Sequence, residues 1–429
     1  MLVSDMQRVF FLTAFMIILS IPGLSAVDSA SRSLIETGRI IILRHENEAV
    51  LLIEQSQPAG RQSGIEISLS GMGTLRLQAG LRTETIKFSI GEIRENINIY
   101  AGTAGFFPEK ITITGTGNGF DLLSAHTYQA GDALTPLPAD IGHIIFSDFS
   151  SDGNTEWELY SWNLFPEVLI FDTVDYEVQS RLFKRLAFFV EKPGFVGTLV
   201  PNKDLNGRHG WNAHDYKADD LAAFFTKAEA ENFTLNPEEL VLKQILINCG
   251  IIIGNSGTEM KTFSAGEGAV LSVSRETLPD WRYRFLTHEC LHGIFFTKSD
   301  YREEIEKVFT SLDSEEVEFW KHLLDYRRYD VNNSYLVVNE FMAYSLQQPK
   351  DETDDYFKGF LYKKMIAARP YEKGFVEKFE KTHSDSFRRA VSSLGLVLLS
   401  YTGREPGHLA NLYPQDLSPS FFNLFPASE

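Results

Sequence analysis

The chain has 429 residues, enough for two or three domains and for a sizeable hydrophobic core. Hydrophobic residues make up 43% of the sequence and charged residues 23%, which is ordinary for a globular protein. The net charge of −18 argues against a nucleic-acid partner, because binding to a phosphate backbone requires a basic surface.

The first 26 residues have the pattern of an export signal. A mostly apolar stretch from Val9 to Leu19 follows Arg8, and Pro22 breaks it before the small residues that end at Ala26. The stretch is short for a membrane span. We expect cleavage near Ala26, export to the periplasm or the extracellular space, and no stable membrane insertion afterwards. Retention of the segment as an anchor is the alternative.

Residues 27–119 contain short β-rich runs at intervals of roughly ten residues, separated by turns with Gly, Asn or Pro. Examples are Gly64 to Leu69, Thr74 to Gln78, Thr85 to Ser89 and Ile97 to Tyr100. This spacing is typical of a β-sandwich, and no catalytic cluster is visible in it. We predict a β-sandwich-like accessory domain that packs on the rest of the protein or binds a partner.

Residues 120–254 alternate between buried-strand and helix patterns and predict an α/β domain, or the N-terminal part of the catalytic unit. Asp175 to Glu191 is amphipathic, and a second helix begins at Pro237 with Asn236 as its cap. The polar stretch Gly207 to Tyr216 lies between these helices.

Within that polar stretch, His209, His214 and Asp215 are candidates for substrate binding, because polar and aromatic side chains on a Gly-containing loop often line a cleft. A structural loop or helix entry is the alternative. Metal binding by the two histidines is unsupported, since their spacing fits neither a helix face nor one face of a strand.

Residues Thr287 to His292 contain the pattern H-E-x-x-H in a stretch with helical periodicity. His288 and His292 are four residues apart and share one helix face, so both imidazoles can reach one zinc ion. Glu289 is placed to accept a proton from an attacking water. The pattern predicts hydrolytic chemistry, and two ordinary histidines on a buried helix are the alternative.

A catalytic zinc site uses three protein ligands. The metzincin extension needs Gly and His where this chain has Phe295 and Lys298, so it is excluded. Glu340 is the only acidic residue in the largely apolar stretch Tyr335 to Tyr344, and a buried carboxylate is costly unless it is paired or binds a metal. We predict Glu340 as the third ligand, with a partly exposed or salt-bridged glutamate as the alternative.

The pattern His288-Glu289-x-x-His292 followed by Asn339-Glu340-x-x-Ala343 resembles the gluzincin group of zinc metallopeptidases. The resemblance implies that His288, His292 and Glu340 bind Zn²⁺ and that Glu289 is the general base. Many gluzincins continue N-E-x-x-S-D, and that Asp supports a ligand His. Because Ala343-Tyr344 stands at those positions here, the support must come from elsewhere, such as a backbone carbonyl or another carboxylate.

The resemblance also bears on which strand pairs with the substrate and which residue stabilises the oxyanion. In the resembled group a sheet edge beside the active-site helix pairs with extended substrate, and Gly268 to Ser274 is either such an edge or a core strand. The group often uses a downstream Tyr or His to stabilise the oxyanion. Tyr401 and His383 are the predicted catalytic residues for that role, and Tyr344 and His408 are also available.

Residues 255–429 are mainly helical after the strand pattern and complete a zincin-like catalytic domain. The predicted fold class is therefore α+β, with a sandwich-like domain, an α/β segment and this domain in order. The expected function is an exported zinc metallopeptidase acting on a peptide or protein. The alternatives are an amidase for cell-wall crosslinks, a noncatalytic exported binding protein with a degenerate peptidase domain, and a structural zinc site.

Overall fold

The computed structural model describes residues 35–36, 38–55, 63–100, 105–129, 134–146, 155–208, 210–255 and 262–415. These residues form a mixed α/β protein with antiparallel strand pairing and many helices. No helix within these ranges is long and apolar enough to cross a membrane. The predicted export signal, residues 1–26, lies outside the described residues, and export stays a prediction.

A seven-stranded antiparallel sheet contains most of the N-terminal region. Its strands are β1 (Ile35–Glu36), β2 (Gly38–His45), β3 (Glu48–Gln55), β4 (Ser63–Ala79), β5 (Arg82–Tyr100), β6 (Lys110–Gln129) and, from the far end of the chain, β14 (Leu412–Pro414). The strand order is β14-β5-β4-β6-β3-β2, and β1 pairs with β6. Strand β6 crosses the predicted boundary at residue 119.

Pairs of runs predicted as separate strands are single long strands in the structure. The runs at 64–69 and 74–78 both lie in β4, and those at 85–89 and 97–100 both lie in β5. The glycine between the first pair, Gly71, has a φ of 91° and lies at a register shift after Leu69. A bulge bends a strand without ending it. The glycine that predicted a turn therefore marks a bend within β4.

The apolar face of this sheet is buried by the sheet itself. Alternate residues of β4, such as Ile65, Ile67 and Leu69, are inaccessible to solvent. Every fully buried member of this core cluster belongs to β3, β4, β5, β6 or β14. One continuous bent sheet, rather than two separate sheets, therefore holds this core.

A second sheet positions the candidate site. Its strands are β7 (Leu137–Ala139), β8 (Trp157–Trp162), β9 (Val168–Thr173), β10 (His214–Lys217) and β13 (Ala269–Ser274). The order is β10-β13-β9-β8-β7, with β13 parallel to β9 and β10 antiparallel to β13. Every residue of β9 and β13 is buried, as expected for strands covered on both faces. The run at 268–274 is thus a core strand, and the edge strand is β10.

Helices cover both faces of the second sheet. Residues Leu169, Phe171 and Val270 pack against one set of helices, while Ile170 and Leu271 belong to the core on the other face. The helices up to β13 are α1 (Ile141–Phe146), α2 (Tyr176–Val190), α3 (Asn202–Leu205), α4 (Ala218–Ala230) and α5 (Pro237–Asn248). A small hairpin of β11 (Ile252–Asn255) and β12 (Thr262–Ala265) follows α5 and contains the predicted boundary at residue 254.

The remaining chain is helical up to β14. Its α-helices are α6 (Pro279–Thr297), α7 (Ser299–Thr310), α8 (Ser314–Tyr326), α9 (Ser334–Leu346), α10 (Tyr362–Ala368), α11 (Lys373–Thr382) and α12 (Ser386–Thr402). Short 3₁₀ segments lie at Lys350–Glu352 and Pro370–Glu372, and a π-helical segment lies at Asp355–Leu361. Helix α6 packs on β13 and β10 and contacts α9.

Candidate metal centre

Helix α6 contains the H-E-x-x-H residues and packs closely on the second sheet. Pro279 occupies its first turn, where a missing N–H costs nothing. A side chain at Gly293 would bring its Cβ within 2.9 Å of Val168 Cγ1 on β9. Glycine therefore lets the helix approach the sheet, and His288, Glu289 and neighbouring residues are held in a buried segment.

Helix α9 brings Glu340 to the two histidines. Asn333 caps this helix by accepting a hydrogen bond from Leu336 N at 3.3 Å. Glu340 is 4% exposed. Its Oε2 lies 3.5 Å from His288 Nε2, and its Oε1 lies 3.6 Å from His292 Nε2. The three residues predicted as metal ligands thus converge on one point.

The side chain of Gln347 orients His288. Its Oε1 lies 2.9 Å from His288 Nδ1. An amide oxygen can only accept, so Nδ1 carries the hydrogen and the Nε2 lone pair faces Glu340. The Tyr344 ring packs edge-on against the His288 ring at 4.9 Å, and Tyr344 Oη accepts a hydrogen bond from Arg327 Nε at 3.0 Å. Gln347 therefore supplies the support for a ligand His that sequence analysis left unassigned.

The second histidine, His292, is supported by a different pair of residues. Its ring stacks on Phe296 with centroids 6.1 Å apart. Asn339, the residue before Glu340, interacts with the His292 side chain and raises its pKa against the larger lowering by burial. Both residues of the Asn339-Glu340 pair therefore face the histidines.

Burial sets the protonation state of the donor atoms. It lowers the pKa of His288 to about 3 and that of His292 to about 4, so both rings are neutral at physiological pH. Burial also raises the pKa of Glu340, although His292 opposes this. The pKa of Glu289 is raised well above its usual range, first by burial and then by the Glu340 and Glu191 carboxylates. Neutral imidazoles offer lone pairs, as metal binding requires.

The donor set fits a zinc ion. The distances of 3.5 and 3.6 Å between Glu340 oxygens and histidine nitrogens are too long for hydrogen bonds. They match neighbouring ligands of a tetrahedral zinc, which lie about 3.3 Å apart when each bond is about 2.0 Å. Glu340 Oε2 is also buried without a hydrogen-bond donor. A buried carboxylate oxygen in this state is costly unless a cation binds it.

Of the three residues predicted for substrate binding, one lies beside the metal centre. Asp215 has a carboxylate oxygen within 4.8 Å of a Glu289 oxygen and a His292 nitrogen. His214 points to the opposite face of β10, where its Nδ1 contacts Ser272 Oγ at 2.8 Å, so its predicted contact with substrate is not supported. His209 lies outside the described residues. Because side chains alternate along a strand, His214 and Asp215 point to opposite faces of β10. The prediction of a loop did not imply this separation.

The two residues predicted for oxyanion stabilisation lie elsewhere. His383 follows the end of α11, stacks on Phe379 and contacts Asp313 Oδ2 at the start of α8 at 3.1 Å. The Tyr401 ring packs edge-on against Tyr301, with centroids 5.3 Å apart. Within the described chain neither residue contacts the three ligands or Glu289. Their predicted catalytic role is therefore not supported.

Sequence reasoning missed two residues near the centre, Gln347 and Glu191. Gln347 lies just past the end of α9, two helical turns after Glu340, so an amide at that spacing was the available signal. Glu191 follows α2 directly, and its carboxylate acts electrostatically on Glu340, Asp215 and Glu289. No local pattern indicates that the end of α2 lies near α6 and α9.

Comparison of the chain with protein-family models, with curated proteins and with solved structures found no match. The gluzincin resemblance therefore depends on the two sequence motifs and on the geometry of the residues in them.

Proposed function

We propose that this protein is a zinc-dependent metallopeptidase of the gluzincin type. The observation that carries the proposal is the convergence of His288, His292 and Glu340, at nitrogen–oxygen distances of 3.5 and 3.6 Å, beside the carboxylate of Glu289. A zinc ion held by these three residues would lower the pKa of a coordinated water and polarise the substrate carbonyl.

The residues around the three ligands have defined tasks in the proposed reaction. Gln347 holds His288 with its Nε2 lone pair toward the metal, and Asn339 lies beside His292. Glu289 accepts the proton of the attacking water and then delivers it to the leaving amine. Burial and the Glu340 and Glu191 carboxylates raise the pKa of Glu289, and a raised pKa favours its protonated form, which delivers the proton to the leaving amine.

The edge of the second sheet supports a peptide substrate. β10 pairs with β13 on one side and is the last strand of the sheet on the other. It also packs against α6, so an extended peptide paired with β10 would pass the metal centre. The export pattern in residues 1–26 supports a location in the periplasm or outside the cell.

Zinc content tests the ligand assignment. We expect about one zinc per chain in the purified wild-type protein by elemental analysis, and a sharp loss of zinc affinity in Glu340→Ala. Circular dichroism checks that both proteins fold. No zinc in the wild type under metal-replete conditions would overturn the proposal, and equal zinc in both proteins would reassign the third ligand.

Glu289→Gln separates catalysis from metal binding. The variant should retain its zinc, since Glu289 is not one of the converging ligands, while peptide hydrolysis falls about 10²- to 10⁴-fold because the general base is lost. Activity is measured on a peptide library. Equal product formation by wild type and variant would show that Glu289 is not the base, and a zinc-loaded wild type without any products would favour a noncatalytic protein.

A further inference from the structure

Asp215 is directed at the proposed catalytic base. It lies on the edge strand β10, and its carboxylate, the Glu289 carboxylate and a ring nitrogen of His292 all lie within 4.8 Å of one another. The preceding residue, His214, faces the other side of the strand and packs on Phe183 at 5.4 Å. Alternation along the strand therefore gives Asp215 its position on the α6 side.

The surroundings of Asp215 are anionic. No hydrogen bond or ion pair joins the Asp215 side chain to any other residue of the described chain. The charges that act on it most strongly are the carboxylates of Glu289, Glu191 and Glu340. The lysine on the same face of β10, Lys217, lies over the Tyr335 ring at 4.9 Å instead. Asp215 thus faces the site as an uncompensated carboxylate.

Two more carboxylates in the cluster have unused acceptor capacity. Trp211 and Lys192 interact with the Glu191 carboxylate, but its buried Oε1 has no hydrogen-bond donor among the described residues. Glu289 is 8% exposed, and its side chain forms no hydrogen bond or ion pair within the described residues. The zinc ion of the proposed function would compensate Glu340, but Asp215 is not a member of that ligand set. A second positive group beside the metal would compensate Asp215, and a substrate can supply it.

We propose that Asp215 binds the protonated α-amino group of a peptide substrate, which makes the enzyme an aminopeptidase. This inference rests on the proposed function. The α-amino nitrogen is two bonds, about 2.5 Å, from the carbonyl carbon of its own residue. An ammonium bound to Asp215 therefore brings the first carbonyl of the peptide next to Glu289. A lysine or arginine side chain carries its charge several bonds further from its carbonyl and does not fit this short spacing.

Calorimetric titration of two ligands tests the proposal without relying on turnover. The ligands are leucine hydroxamic acid and its N-acetyl derivative, which differ in the ammonium group. The proteins are zinc-loaded wild type, Asp215→Asn and Asp219→Asn. Asp219 lies four residues along the chain in the first turn of α4, is exposed, and controls for the loss of one negative charge.

We expect the wild type and Asp219→Asn to bind the free-amine ligand at least about tenfold more tightly than the acetylated one, because a buried charge-assisted hydrogen bond is lost on acetylation. In Asp215→Asn the ratio should fall to near one. Equal binding of the two ligands by the wild type would overturn the proposal whether or not Asp215→Asn folds. An unchanged ratio in a folded Asp215→Asn would also overturn it.

Two further measurements distinguish the ways in which the proposal can fail. A second zinc per chain that is lost in Asp215→Asn would assign Asp215 to a metal and not to an amine. Zinc binding with no amine preference would overturn this inference alone, whereas absence of both zinc and hydroxamate binding would also overturn the proposed function. Wild-type protein should release the first residue of a peptide with a free amino terminus and leave the N-acetylated peptide intact.

Discussion

The candidate metal centre and the junction where the C-terminal segment meets the N-terminal sheet each bury a carboxylate. At the junction, Asp140 is 2% exposed. Its Oδ1 accepts hydrogen bonds from the backbone N–H groups of Gly142, Asn411 and Leu412 at 2.8, 3.0 and 3.0 Å, and its Oδ2 accepts a further bond from Asn411 at 2.9 Å. Backbone donors thus saturate this carboxylate and hold β14 beside β5.

In the candidate metal centre, Glu340 is 4% exposed and accepts a side-chain hydrogen bond from Tyr329. Its Oε2, however, has no hydrogen-bond donor among the described residues. Its neighbours are two neutral imidazole rings, His288 and His292, and the carboxylate of Glu289. A buried acceptor without donors destabilises the protein in the absence of a cation. The difference between the two regions therefore separates a carboxylate that stabilises the fold from one that the proposed zinc ion would bind.

The largest expected effect is stabilisation by zinc. A ligand that binds only the folded state at a thousand times its dissociation constant raises the free energy of unfolding by about 4 kcal/mol. We expect this increase in wild type and in Asp140→Asn, where the three ligands are intact, and almost none in Glu340→Gln. Urea unfolding with and without zinc measures it. Equal stabilisation of Glu340→Gln would mean that zinc binds elsewhere.

The two carboxylates should respond oppositely to amide substitution in zinc-free protein. Burial raises the pKa of Asp140 to about 6, so at pH 8 it is ionised and accepts its backbone bonds. Asp140→Asn turns an NH₂ group toward backbone N–H groups and should lower the free energy of unfolding by about 3 kcal/mol.

Glu340→Gln removes no hydrogen bond from the backbone and keeps an oxygen that can accept from Tyr329. It also relieves repulsion with Glu289, so its free energy of unfolding should stay unchanged or rise by up to about 1 kcal/mol. Urea unfolding of both variants at pH 8 measures the contrast. A similar loss of stability in the two variants would remove the distinction between the regions.

The parts of the metal centre that were predictable depend on local sequence. His288, Glu289 and His292 lie within one helix, and the period of that helix alone places the two histidines on one face. Glu340 was predictable because an acidic residue in an apolar helix needs a partner. These inferences do not require knowledge of which helices are neighbours.

The parts that were not predictable depend on contacts between distant segments. Pairing of β10 with β13 made the run at 268–274 an inner strand, and no feature of that run specifies its neighbours. The catalytic roles predicted for His383 and Tyr401 came from residue type and relative position in the chain, and packing places both residues elsewhere. In β4, the glycine at 71 bends a strand that continues, because a bulge and a turn use the same residue type.

The last expected effect is smaller than the loss of stability in Asp140→Asn and concerns the support of a single ligand. Gln347→Leu removes the acceptor for His288 Nδ1–H, so the ring loses its fixed tautomer and orientation. Zinc affinity should fall about tenfold to a hundredfold, or about 1.4 to 2.7 kcal/mol, measured by competition with a chelator. Gln347→Glu should retain most of the affinity, because a carboxylate can accept the same hydrogen bond.

The adjacent Gln348 donates to backbone carbonyls of α9, at Tyr344 and Ser345. Gln348→Leu therefore controls for the loss of a buried amide, and an equal fall in zinc affinity would show that packing, and not ring orientation, explains the effect.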